Sequence, residues 1–201
     1  MKPSAIHALS YLDSQDIVRW FGTEMALSEG QQARIWNEAE ARWQVECGPA
    51  VWTHPSVPFL QLTHIEVQLR NGAQARLLSQ LDDGSGYYGL YLVEIDKAAE
   101  PGNEEPGSIF RTRELAELPV GPATTAILRQ NGPNAVIEAC IRVGRHEIRL
   151  LAAEVYDRAT GVFDIVEGDE SILLQLDGAR PGHLPQQTAS SPAASGERSY
   201  P

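Results

Sequence analysis

The stretch Asp82-Asp83-Gly84-Ser85-Gly86 puts two carboxylates, a hydroxyl and backbone amides freed by glycine into one short segment, a composition that can ligate a hard cation or cradle a phosphate. Its spacing fits neither chemistry. A calcium loop of the EF-hand type needs oxygen ligands at alternating positions and a closing glutamate, and a phosphate loop needs a lysine after its glycines. Asp and Gly between strands are also what a tight turn uses. A hydrolase would draw its base from His7, His54, His64, His146 or His183, none of which lies in a motif. Gly84-Ser85-Gly86 lacks the additional residues that a G-x-S-x-G elbow requires, and a His54/His64 metal pair has no third marked ligand. The acids of Gly168-Asp169-Glu170, and Glu154 with Asp157, could be assembled into a two-carboxylate hydrolytic site, but without a partner to shift a pKa they read as solvated loops. Cys47 and Cys140 have no companions at metal-ligand spacing, and Cys140, inside the apolar run Val136 to Val143, reads as a small buried hydrophobe. Neither a metal nor a cofactor is expected.

The charge balance narrows the partners. With 16 Lys and Arg against 27 Asp and Glu, the formal net charge is −11. Binding to nucleic acid or anionic lipid depends on cations that displace counterions or meet headgroups, so this balance argues against both. It favours solubility and a basic macromolecular partner. The longest apolar runs span only a few residues, and Asp13, Asp16 and Arg19 stand where a signal peptide would be apolar, so neither a membrane span nor export is expected. Two cysteines are too few for a disulfide framework, and the expected location is the cytoplasm.

These side chains need a scaffold, and 201 residues with 42% hydrophobic content suffice for one substantial core. Residues 1–50 read as helical. Ser14 can cap a short helix carrying Ile17, Trp20 and Phe21, with Gly22 suited to end it. Ser28 and Gln31 have capping-box spacing ahead of Trp36, Ala39 and Trp43, which recur at helical intervals until Gly48-Pro49. From Leu62 the period changes to two: Ile65, Val67 and Leu69, then Asn71-Gly72, then Ala73, Ala75, Leu77 and Leu81 predict a hairpin closed by a type I′ turn. A strand from Tyr88 to Ile95 follows the 82–86 turn. Residues 96–107 form an acidic, Pro/Gly-rich loop, and Ile109 to Leu118 fits a strand or a short helix. Ala135 to Val143 and His146 to Tyr156, joined by Gly144-Arg145, predict a second hairpin. Val162 to Val166 and Ser171 to Leu176 finish the sheet, and the run Ile172, Leu173, Leu174 and Leu176 places the last strand where it is well covered. The expected fold class is α+β, with N-terminal helices packed on a mainly antiparallel β-sheet built from hairpins. Residues 1–178 form a single domain in this reading, with a helical segment over 1–50 and a β-rich part over 60–178. The Pro, Ser, Ala and Gln composition beyond it predicts a flexible tail over 179–201.

The segments DDGSGYYGLYL (82–92), LLAAEVYD (150–157) and GDESILLQL (168–176) resemble pieces of small bacterial immunity proteins, which are encoded beside secreted toxins. The resemblance implies a stoichiometric inhibitor that binds a cognate protein toxin, covers its active site or blocks its function, and has no substrate of its own. Such an inhibitor needs a rigid sheet and a surface complementary to its target, with association hastened by opposite charge. The acidic loops become contact candidates: Asp82 and Asp83, Glu104 and Glu105, and Glu167, Asp169 and Glu170. Two other readings stay open. One is a small hydrolase or metal-dependent enzyme with its site near Asp82 to Gly86 and His54/His64. The other is an assembly protein that joins copies through a sheet edge or the tail.

Overall fold

The computed structural model describes residues 6–181 apart from 8, 30–31, 83, 98–101, 103–107, 133–134 and 160. It corrects the expected α+β class: among these residues there is no α-helix, and twelve antiparallel strands are accompanied by a single 3-10 turn at Leu9–Leu12. After β1 (Ile6–His7), the segment expected to be helical forms β2 (Asp16–Met25), β3 (Gln32–Asn37) and β4 (Arg42–Cys47). Two local features explain the misleading period. In β2 an extra residue, Val18, sits between the pairs Ile17↔Leu69 and Arg19↔Gln68. This bulge brings Ile17 and Trp20 onto the same buried face although they are three residues apart. In the β3–β4 hairpin, Trp36 and Trp43 lie directly opposite each other with ring centroids 5.5 Å apart, so their spacing reports a cross-strand pair.

The chain continues through β5 (Leu60–Leu69), β6 (Gln74–Asp82), β7 (Tyr87–Ile95), β8 (Phe110–Glu114), β9 (Gly121–Asn131), β10 (Ala135–Val143), β11 (His146–Ala159) and β12 (Val162–Leu176). Both expected hairpins are present. The first closes differently from the expected type I′ turn: Leu69 N donates to Ala73 O, and Gly72, at φ 87°, is left-handed while Asn71 is not. That is a three-residue loop ending in a glycine bulge. The two terminal strands expected over 162–166 and 171–176 are one strand, interrupted by a bulge described below.

Hydrogen bonding runs β5–β12–β11–β10–β9–β2 and returns to β5, closing a ring of six strands. β6, β7 and β1 extend from β5 as an arm packed over β10 and β12, and β8 extends from β2. The ring and its arm enclose the main core, which includes Trp20, Leu62, Ile65, Leu77, Leu92, Ile141, Ile148 and Ile172. Trp20 is fully buried in it and donates its indole N–H to Pro119 O at 2.8 Å, so the one polar atom of that ring is satisfied. A second apolar cluster, built from Leu27, Val57, Ile137, Leu151, Val155 and Leu173 with Phe59 and Phe163 against it, lies apart from the main core. β12 contributes to both, Ile172 and Leu174 to the first and Leu173 to the second. Coverage on both faces is why Ile172, Leu173 and Leu174 read as a continuous apolar run. The first residues after β12 are also held: Leu176 and Ala179 exchange backbone hydrogen bonds, and Arg180 Nη1 donates to Phe59 O at 2.6 Å. The remainder of the segment expected to be a tail lies outside the described residues.

An acid-lined groove at a strand fork

One edge of β5 serves two strands. Leu60–Leu62 pair with β12, His64–Gln68 pair with β6, and Thr63 between them is bulged, because Thr23 opposes His64 while Glu24 opposes Leu62. β6 and β12 therefore part at Thr63. β12 widens the gap, since Ala152 pairs with Ile172 and its neighbour Ala153 with Glu167, leaving Gly168 to Ser171 as an excursion with no partner in β11. Gly168, at φ 71°, begins that excursion in a conformation that favours glycine. Two hydroxyls pin it: Ser79 Oγ donates to Asp169 O at 2.7 Å, and Ser171 Oγ to Glu154 Oε2 at 3.0 Å.

The fork opens a groove of about 470 Å³ whose walls include Met25, Leu81, Tyr88, Phe110, Glu154 and Glu170. Through Met25 and Glu154 it continues into a second hollow of about 450 Å³ between residues 25–29 and residues 154–157. Partial burial, together with the charges of Asp169 and Glu170, pushes the Glu154 carboxyl above its usual range. Tyr156 donates its hydroxyl to Asp169 Oδ2 at 2.9 Å, and that bond with some burial pushes the phenol up to about 12. The walls carry apolar surface and hydrogen-bond acceptors in plenty, with no lysine or arginine among the lining residues described.

The other buried acids are treated differently. Glu24 is held by Arg111 and Arg113, Glu66 by Arg76, and Glu138 by Arg149 and Arg129. Each sits among guanidinium groups that compensate its desolvation. Among the described residues, Glu154, Asp169 and Glu170 have only hydroxyl and backbone partners. Arg158, which lies 5.8 Å from the Tyr156 ring centre, is bound to Asp164 at 2.9 Å. The groove thus complements a ligand that brings positive charge, donors and some apolar surface.

Of the acids singled out in the sequence, Asp169 and Glu170 come together here, beside Glu154. Glu167 faces a different cleft, where Arg129 Nη1 binds it at 2.7 Å. Asp82 closes its own turn: its carboxylate accepts from Ser85 N at 2.9 Å, and the bond to Ser85 holds its pKa down. Asp83, Glu104 and Glu105 lie outside the described residues. The apolar walls, Met25 and Phe110 above all, had no signal in the sequence, because they come from strands far apart along the chain. The excursion had one: Gly168-Asp169-Glu170 interrupts an otherwise apolar strand, as a bulge does.

The histidines weighed as bases or ligands have separate neighbourhoods. His54 Nδ1 bonds Ser56 Oγ at 2.8 Å, and its ring packs on Phe163 at 4.9 Å. His64 Nε2 lies 3.4 Å from Thr23 Oγ1 and 3.6 Å from Glu66 Oε1, while Nδ1 is 3.1 Å from Thr63 Oγ1. Thr23 shares Nε2 with Glu66, whereas Thr63 lies on the opposite nitrogen; a hydrolytic triad needs a carboxylate free to orient the ring, and Glu66 is bound by Arg76 while Thr63 Oγ1 also donates to Thr23 O at 3.4 Å. Burial, with Arg76 adding to it, lowers the His64 pKa. Among the described residues no three His, Cys, Asp or Glu side chains are placed to hold a metal ion, and no helix is long and apolar enough to cross a membrane. No protein-family model, curated protein or solved structure matches the chain.

Proposed function

We propose that the protein is a stoichiometric inhibitor of the immunity type, acting in the cytoplasm by occupying a basic surface of a cognate protein toxin with the groove at the β5 fork. The observation that carries this reading is the contrast between two sets of acids. Glu24, Glu66 and Glu138 are matched by arginines within the fold, whereas Glu154, Asp169 and Glu170 are gathered around an apolar groove without a cation among the described residues. Self-repulsion of that kind disfavours the isolated protein and is relieved when a cationic partner docks. The side chains on the groove wall, Tyr88, Phe110 and Met25, belong to types enriched at protein interfaces.

Co-expression with the product of the adjacent reading frame tests the reading. The expected result is a one-to-one complex that relieves toxicity and whose association rate falls steeply with added salt. Glu154→Gln with Glu170→Gln is expected to weaken that complex at least tenfold. An intact complex in the double variant, or no complex and no relief of toxicity with the unaltered protein, rejects it.

A further inference from the structure

The second hollow has a feature that the fork groove lacks: one wall is an unpaired strand edge. β10 pairs with β11 only as far as Glu138↔Leu151, so on that side β11 runs from Ala152 onward without a neighbouring strand among the described residues. The N–H of Val155, which lies on that edge, is taken by a side chain: Gln61 Oε1 accepts it at 2.7 Å. Gln61 is 1% exposed, and its Nε2 is a buried donor without an acceptor among the described residues. The carboxamide therefore imitates half of a neighbouring peptide group, with its acceptor engaged and its donor unmet. Strand alternation places the Val155 carbonyl and the Asp157 amide and carbonyl on the same edge, and among the described residues no turn or loop hydrogen bond reaches them. Across the hollow stand Met25, Leu27, Glu29 and Ile109, with Glu154 and Asp157 on the strand itself.

We propose that this slot takes an extended, lysine- or arginine-bearing segment of a partner protein, added as a strand along the free edge of β11. The inference rests on the binding reading above and names the partner's form. Main-chain pairing supplies acceptors and donors to the open edge, and alternate side chains meet the two walls. The charge of that segment follows from Glu29, Glu154 and Asp157, which a lining without a described cation leaves uncompensated. An acidic or neutral strand would meet only repulsion or unmet carboxylates. An amphipathic helix is the wrong shape, because it offers no main-chain groups to the edge.

The test uses the full chain and a synthetic decapeptide of alternating lysine and valine, alongside the same peptide N-methylated at every second residue. Binding is followed by calorimetry and amide exchange. The expected result is saturable binding of the unmethylated peptide, at least tenfold loss on methylation, at least tenfold loss with Glu154→Gln plus Asp157→Asn, and slowed exchange at Asp157. Equal binding of both peptides, or no change in exchange at residues 155–157, overturns the strand-addition inference. A toxin complex that forms normally while the peptide does not bind also overturns it and leaves the inhibitor reading standing. Peptide binding as expected, without any toxin neutralised, supports the slot and removes the immunity reading.

Discussion

Ser171 Oγ donates to Glu154 Oε2 at 3.0 Å, so a hydroxyl on the β12 excursion serves a carboxyl that burial, Asp169 and Glu170 all drive toward its protonated form. A carboxyl whose pKa is raised on folding binds its proton more tightly in the native state than in the unfolded chain. Its contribution to stability therefore declines as pH climbs from the ordinary carboxylate range through the raised native value, and is constant below both. Replacing Glu154 by Gln removes that decline while keeping an acceptor for Ser171. The variant is expected to melt a few degrees above the parent at neutral pH and together with it once the carboxylates are protonated. A melting temperature at neutral pH equal to or below the parent's would show that Glu154 carries no such penalty.

Arg76 and Glu66 make the opposite case. Glu66 is 0% exposed, and Arg76 Nε donates to it at 2.9 Å. Arg76→Met is expected to cost about 3 kcal/mol, since it leaves a buried carboxylate with its main counter-charge removed. The double change Glu66→Leu, Arg76→Met is expected to recover most of that loss, because neither charge then needs to be desolvated. Urea midpoints of the two variants decide it, and a double variant less stable than Arg76→Met would contradict the account.

The part of the fold legible in the sequence is the part where apolar residues alternate with polar ones or run together over a strand's length. Ile65, Val67 and Leu69 announced β5 by alternation, and the apolar run from Ala135 to Val143 announced β10, which is buried along nearly its whole length. β2 was illegible for a physical reason: the Val18 bulge gives Ile17 and Trp20 a three-residue spacing on one face, which in a sequence is indistinguishable from a helical stripe. The β3–β4 hairpin hid in the same way behind Trp36 and Trp43. Half of the candidate site shared this fate. Asp169 and Glu170 stood out as acids, but their meeting with Glu154, Phe110 and Met25 depends on a fork in β5 that no local pattern encodes.

Gly89 tests how the β6–β7 arm closes over the ring. A Cβ there would stand 2.8 Å from Ala135 Cα and 3.0 Å from Val136 N, both backbone atoms at the start of β10. Backbone cannot rotate out of the way as a side-chain terminus can, so Gly89→Ala is expected to cost about 3 kcal/mol, at the upper end for an added methyl group. Gly102→Ala, where no atom of the described residues lies within 4 Å of the new Cβ, is the matched control and is expected to change little. Similar denaturation midpoints for the two variants would mean that the arm does not pack on β10 as described.

The tryptophans separate the hairpin from the core. Trp36 and Trp43 are 46% and 64% exposed, in a two-stranded sheet that pairs with no strand of the ring, whereas Trp20 is 1% exposed within the main cluster. The two outer indoles pack edge to face, worth about 1 kcal/mol to the hairpin itself. Trp43→Ala is therefore expected to lower global stability by less than about 1 kcal/mol, and to speed amide exchange in β3 and β4 alone. Trp20→Ala is expected to cost about 4 kcal/mol, through the cavity it leaves and the loss of the bond to Pro119 O. Acrylamide should quench the emission of Trp36 and Trp43 efficiently and leave a protected component from Trp20. If Trp43→Ala instead destabilised the protein as much as Trp20→Ala, the hairpin would belong to the cooperative core, and its aromatic face would be a packing surface in place of an exposed one.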